Sequence, residues 1–180
     1  MVCDRCIMVV RQQLEQEGFQ VNSIDLGTAA ITPDPDNDQI LGIKSALNLV
    51  GFDLIDDEKS KLVERIKNII IDLIHYSEVP QEQLNVPDEL SKGLFKEYSY
   101  LSRIFSEHEG ITVEKFVIQQ KIEKAKALLQ EGELNLTEIA FKMGYSSSSH
   151  LSSQFKAITG ISPREYKNRE NKERKSLDKI

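Results

Sequence analysis

From Glu58 onward the apolar residues of this chain recur only at the three-to-four spacing of a helix. Leu62, Ile66, Ile69, Ile70 and Leu73 draw one stripe of a long helix that ends near Tyr76. Shorter helices are expected at about 88–95, 98–108, 113–130, 135–143, 147–158 and 163–168. Val79-Pro80 and Val86-Pro87 bracket a polar connection, because a residue before proline avoids the helical region. A half-buried strand needs period-two alternation, and none occurs in this part of the chain. Everything after Glu58 is therefore restricted to helix packed on helix.

The first 58 residues read differently. Ile7, Val10 and Leu14 mark one helical face over 6–16, and Gly18 ends it. Phe19 to Leu26 is extended and partly alternating, Gly27-Thr28 makes a turn, and Ala29-Ala30-Ile31-Thr32 returns as a second strand. A loop over 33–38 leads into a helix at 39–49 carrying Ile40, Ile43, Leu47 and Val50 on one face. Gly51 caps that helix, and Phe52-Asp53-Leu54-Ile55 is expected as a last short strand.

Charge divides the chain in the same way. The net charge of −6 is the sum of −7 over residues 1–60 and +1 over residues 61–180. Residues 136–180 alone hold 9 basic and 5 acidic side chains. The acidic third repels phosphate and the basic end tolerates it, so total charge is a poor guide to partners. No apolar run approaches the ~20 residues of a membrane-spanning helix. The N-terminus lacks a basic segment followed by an apolar one, so the expected compartment is the cytoplasm and no membrane partner is expected.

The sharpest local pattern is Asn135-Leu136-Thr137-Glu138-Ile139-Ala140-Phe141-Lys142-Met143-Gly144-Tyr145. Asn135 with Glu138 three residues on is a capping-box start. Ala140 lets a following helix cross closely, and Gly144 supplies the positive φ of a tight inter-helix turn. Ile139, Met143, Tyr145, Leu151 and Phe155 can close a core between the two helices. The second helix then shows a small polar face of Ser146, Ser147, Ser148, Ser149, Ser152, Ser153 and Lys156. Such side chains at a helix N-terminus suit a major groove, where they meet phosphates and base edges. The alternative is an αα-hairpin with a solvated, serine-rich end.

Residues 90–167 resemble the DNA-binding domain of the AraC/XylS family of transcriptional regulators. The matching pieces are Tyr100-Leu101-Ser102-Arg103-Ile104-Phe105 and Gly110-Ile111-Thr112. They continue with the helix Gln120-Lys121-Ile122-Glu123-Lys124-Ala125-Lys126-Ala127-Leu128-Leu129, the block 136–145, and Phe155-Lys156-Ala157-Ile158-Thr159-Gly160-Ile161-Ser162-Pro163-Arg164-Glu165-Tyr166. The resemblance implies seven helices and two helix-turn-helix units joined by a linker helix. One recognition helix from each unit, at about 98–107 and 147–158, would occupy successive major grooves. Ser99, Tyr100, Ser102 and Arg103 are then the candidate DNA contacts of the first unit, with Arg103 the chief one. The chain departs from the family at three places. Phe95 and Lys96 stand where a turn glycine and an apolar residue are usual, Phe116 and Lys121 where Tyr and Arg are usual, and Ser153 where a base-contacting Arg is common.

Cys3 and Cys6 form a C-x-x-C pair at a loop-to-helix junction. In a reducing compartment this spacing suits a soft metal ion or a reversible dithiol more than a structural disulfide. Residues 1–55 resemble the heavy-metal-associated domain, a ferredoxin-like βαββαβ fold. The carriers are the Met1, Cys3, Cys6 loop motif and the Gly51-Phe52 pair. The first strand of that fold has no counterpart here. The resemblance implies Cu(I) or another soft metal at Cys3 and Cys6, while DNA binding itself requires no cofactor.

Weaker patterns carry nothing further. Asp34, Asp36 and Asp38 fail the Ca²⁺-loop test at Gln39 and Ser45, leaving an acidic turn. His75, His108 and His150 are isolated, and no nucleophile triad, phosphate loop or metalloprotease motif is present, so no enzyme is expected.

The fold class that follows is an incomplete ferredoxin-like α+β domain over 1–58, an all-α double helix-turn-helix domain over 59–168 and a charged tail over 169–180. The function that follows is a transcription regulator that binds double-stranded DNA, with RNA polymerase and a second copy of the chain as further candidate partners. A different reading is a metal carrier whose helical half docks a protein partner. A dithiol redox protein is a third, but no thioredoxin-like βαβ pattern surrounds the cysteines.

Overall fold

The computed structural model describes residues 4–25, 27–55, 58–77, 79–168 and 177. The chain forms two compact units, Met1–Asn68 and Ile69–Ile180, whose boundary falls inside a helix and not at residue 58.

In the first unit α1 (Asp4–Gln16) is followed by β1 (Gln20–Asp25), β2 (Thr28–Thr32) and α2 (Asn37–Leu49). Val10 and Leu14 of α1 bury their side chains, and the helix closes with Gly18 at φ 89°. There the Gly18 amide donates to the Glu15 carbonyl and the Phe19 amide to the Leu14 carbonyl, both at 3.1 Å. Phe19 thereby drops onto Leu14, in one core with Val10, Ile43 and Leu47. The strands pair antiparallel, Gln20 opposite Thr32 and Asp25 opposite Thr28, with an irregularity between Val21 and Ser23. Asp36 caps α2 in a capping box with Gln39, which is what the acidic turn does.

Phe52 and Leu54 also pack on this core, yet residues 52–55 are not a strand, contrary to the sequence reading. Among the described residues the sheet consists of β1 and β2, and the Leu54 amide donates instead to the Asp53 side chain at 2.8 Å. Alternating burial alone does not make a strand when no neighbouring backbone takes up its hydrogen bonds.

In the second unit, α3 (Glu58–Ile71), which begins before the boundary, runs into a π-helical turn over Asp72–Tyr76. Then come α4 (Val86–Leu94), α5 (Tyr98–Glu109), α6 (Val113–Glu131), α7 (Leu136–Lys142), α8 (Ser148–Thr159) and α9 (Pro163–Asn168). Helix α6 is buried on more than one side: Phe116, Gln120, Ile122, Glu123, Ala125, Lys126 and Leu129 are all enclosed. A helix apolar on a single stripe packs on a single neighbour, so this pattern places α6 between others. Near its start Phe116 meets Phe105 of α5, ring centroids 5.4 Å apart. Further along, Ile122, Ala125 and Leu129 join Ile139, Ala140, Met143, Tyr145, Leu151 and Phe155 in one core.

Residues 155–166 lock α9 onto that core. Gly160 ends α8 in the left-handed region, Ser162 and Glu165 form a capping box around Pro163, and Tyr166 lays its ring 5.6 Å from Phe155. Lys126 lies over the Tyr166 ring and is neutralised by Glu123 at 2.6 Å. The π turn is tied to α6 by two contacts. The Lys124 ammonium donates to the Ile74 carbonyl at 2.6 Å, and His75 Nε2 meets Gln120 Oε1 at 3.0 Å. No helix among the described residues is long and apolar enough to cross a membrane.

Candidate nucleic-acid interface

Two helix pairs flank α6, and each pair is joined by a short turn in the left-handed region. In the second pair the turn falls at Gly144, φ 71°. The Gly144 amide donates to Phe141 and the Tyr145 amide to Ala140, both at 2.9 Å, so the chain reverses while the last carbonyls of α7 stay bonded. Asn135 and Glu138 form the capping box expected of them.

In the first pair Phe95 occupies the left-handed position itself, φ 52° and ψ 41°. The missing glycine therefore does not lengthen the turn. The packing of α4 on α5 imposes the conformation and Phe95 bears the strain, its side chain 92% exposed.

On α5, Ser99, Tyr100 and Arg103 are exposed, and Ser102 is half-buried. Both Lys96 Nζ, at 5.5 Å, and Arg103 Cζ, at 5.8 Å, lie against the Tyr100 ring. Lys96 was not among the candidate contacts, yet it lies beside Tyr100 and Arg103. Its signal was there, a cation four positions before an aromatic residue. Tyr98, at the start of α5, donates its hydroxyl to Glu114 at the start of α6 at 2.6 Å. Burial, then the Glu114 carboxylate, pushes the Tyr98 hydroxyl up to about 12. The same hydrogen bond holds the Glu114 carboxyl below the usual value.

The serines of the second pair take several roles. Ser147 is the N-cap of α8, its hydroxyl accepting from the His150 amide. Ser146 meets His150 Nδ1 at 3.3 Å. Ser152 donates to the Ser148 carbonyl at 2.7 Å and Ser153 to the Ser149 carbonyl at 3.0 Å. Ser149, Ser153 and Lys156 are exposed, and Ser148 and Ser152 half-buried. His150 presents its ring edge-on to Tyr145, 5.2 Å between centroids. Tyr145 is buried, its hydroxyl pushed up to about 12 by that burial and without a hydrogen-bond partner among the described residues. Lys121 lies 5.8 Å from the same ring, and burial lowers its ammonium pKa.

Of the cysteine pair, Cys6 is half-buried in the first turns of α1, and Cys3 lies outside the described residues. Among the described residues no group of three or more His, Cys, Asp or Glu side chains converges as a metal site.

Comparison with known proteins bears on the second unit. Residues 90–169 match the model of a helix-turn-helix domain family. The probable transcriptional regulator LumQ of Photobacterium leiognathi is 32% identical over 113 residues, 63% of this chain and 44% of LumQ. The HTH-type transcriptional regulator YtdP of Bacillus subtilis is 30% identical over 137 residues, 72% of this chain and 18% of YtdP. The chain thus spans less than half the length of either. The solved C-terminal domain of AraT, a response regulator from Geobacillus stearothermophilus, superposes with a TM-score of 0.51 at 30% identity, over 62% of this chain and 87% of that domain. Residues 90–169 thus carry a helix-turn-helix domain, the part of the chain that these transcriptional regulators share with it.

Proposed function

We propose that this chain is a sequence-specific transcription regulator, not an enzyme, that binds double-stranded DNA through residues 59–168. Helices α5 and α8 act as the recognition helices of two helix-turn-helix units, and α6 is the linker helix between them. Ser99, Tyr100, Ser102 and Arg103 face DNA from the first unit. Ser146, Ser147, Ser148, Ser149, Ser152, Ser153 and Lys156 face it from the second. The observation that carries this reading is the pair of helix-turn-helix arrangements flanking one buried helix, each presenting polar side chains on its second member.

Residues 1–58 are proposed as an accessory module of heavy-metal-associated type, on the support of the helix-strand-strand-helix order of α1, β1, β2 and α2. RNA polymerase and a second copy of the chain are the further proposed partners, and the cytoplasm the proposed compartment.

Titration of the full chain against a duplex of its own promoter region, repeated across a salt series, tests the reading. Phosphate contacts make log K fall with log salt at a slope near −0.9 per contact. Binding that shows no salt dependence would rule it out.

A further inference from the structure

Two cationic side chains in the first helix pair share one aromatic ring. Lys96, in the turn, and Arg103, on α5, lie 5.5 and 5.8 Å from the Tyr100 centroid, both within the ~6 Å at which a ring attracts a cation. Their positions four before and three after Tyr100 bring them there by local geometry. Among the described residues no acid forms an ion pair with either one. Lys126, over the Tyr166 ring, is by contrast neutralised by Glu123 at 2.6 Å. The Tyr100 arrangement holds two positive charges on one exposed ring, next to exposed Ser99, with no ion pair to either among the described residues.

Like charges gathered on one ring repel each other, and a ligand that brings negative charge relieves that repulsion. The two cations differ in what they recognise. Lysine is a compact point charge suited to a phosphate oxygen, and arginine is a planar fork suited to the O6 and N7 edge of guanine. Both are long and flexible, so a ring that already holds them reduces the ordering needed on binding.

We propose that Tyr100 is a positioning residue which presents Lys96 to a backbone phosphate and Arg103 to the adjacent base edge. The turn of the first helix pair, through Lys96, is then part of the DNA interface. This inference rests on the DNA-binding reading above and adds to it a phosphate contact and the group that aims Arg103.

Its test uses the full chain and three variants, Lys96→Gln, Tyr100→Phe and Tyr100→Leu. The probes are a mixed-sequence duplex long enough for two successive major-groove sites, and a pool of duplexes with randomised positions. Lys96→Gln is expected to weaken binding alike on all sequences and to reduce the salt slope by about 0.9. Tyr100→Leu is expected to bind its selected sites about tenfold more weakly and to relax the preference at a guanine position. Its salt slope should fall part of the way toward that of Lys96→Gln, because Lys96 is no longer held at the phosphate. Tyr100→Phe, which keeps the ring, should retain most of the wild-type affinity and salt slope and lose less than Tyr100→Leu. An unchanged slope in Lys96→Gln would overturn the proposal. So would a loss in Tyr100→Phe equal to that in Tyr100→Leu, which would assign the effect to the hydroxyl. Should Tyr100→Leu fail to fold, the Lys96→Gln slope and the Tyr100→Phe affinity still decide. A wild-type chain that binds neither probe would instead overturn the DNA-binding reading itself.

Discussion

Gly144 and Gln81 touch through their backbones: a Cβ built on Gly144 would stand 2.9 Å from the Gln81 carbonyl oxygen and 3.0 Å from its carbon. The glycine is thus required twice, for its φ of 71° and for the space in front of it. Gln81 cannot easily retreat, since it is buried and its side-chain amide donates to the Leu73 carbonyl at 3.0 Å. Gly144→Ala should therefore cost about 2 kcal/mol, from the left-handed conformation alone roughly 1–2 kcal/mol and from the backbone contact the rest. Thermal unfolding should show a drop of about 4–8 °C. A variant that melts with the wild type would mean that the turn relaxes without strain.

Phe95 predicts the opposite sign. Its side chain is almost wholly exposed, so little packing is lost on removing it, while its φ of 52° is relieved by glycine. Phe95→Gly should stabilise the chain by roughly 0.5–1 kcal/mol, the gain in strain less the added chain entropy. The melting temperature should rise by about 1–4 °C. A fall would show that the exposed ring is held by something outside the described residues.

The bond between Tyr98 and Glu114 sets a pH dependence at both extremes. Glu114 is held below the ordinary 4.5 of a glutamate by the Tyr98 hydroxyl, so its contribution is present above that value and lost as pH falls through the depressed one. Tyr98 is raised from 10.0 to about 12, by burial first and by Glu114 second, so its contribution is present below 10.0 and lost on the way to 12. As pH is lowered from neutral to acid, the melting temperature should fall more steeply for wild type than for Tyr98→Phe. Parallel curves would show that the bond adds nothing to stability.

Arg103 is exposed and lies against the Tyr100 ring, so Arg103→Ala should leave the melting temperature unchanged. Loss of one bidentate guanine contact is worth about 1–3 kcal/mol, or about 5- to 150-fold in affinity for a selected duplex. Equal affinity in wild type and variant would remove Arg103 from the interface.

What could be read from the sequence was whatever is decided within a few residues. The Asn135 and Glu138 capping box, the Gly18 and Gly144 helix ends and the burial of Ile139, Met143, Leu151 and Phe155 all follow from spacing and side-chain type. What escaped depends on distant partners. Residues 52–55 look like a strand, but a strand exists only where a neighbour completes its ladder. Phe95 takes a glycine's conformation because two helices pack around the turn, which its own side chain does not announce. Lys96 seemed a departure from a pattern until the Tyr100 ring gave it a place.

The two hydroxyls of Ser152 and Ser153 have a consequence for what α8 can say to a groove. Each hydrogen is already committed to a carbonyl one turn back, so each oxygen turns outward as an acceptor alone. In the major groove the matching donors are the exocyclic amino groups of adenine and cytosine. A duplex seated on α8 would thus have to bring its own hydrogens at these two positions, while α5 offers them through Arg103. The two helices would speak complementary dialects, one offering protons and the other receiving them, and a site that satisfies both has a head and a tail.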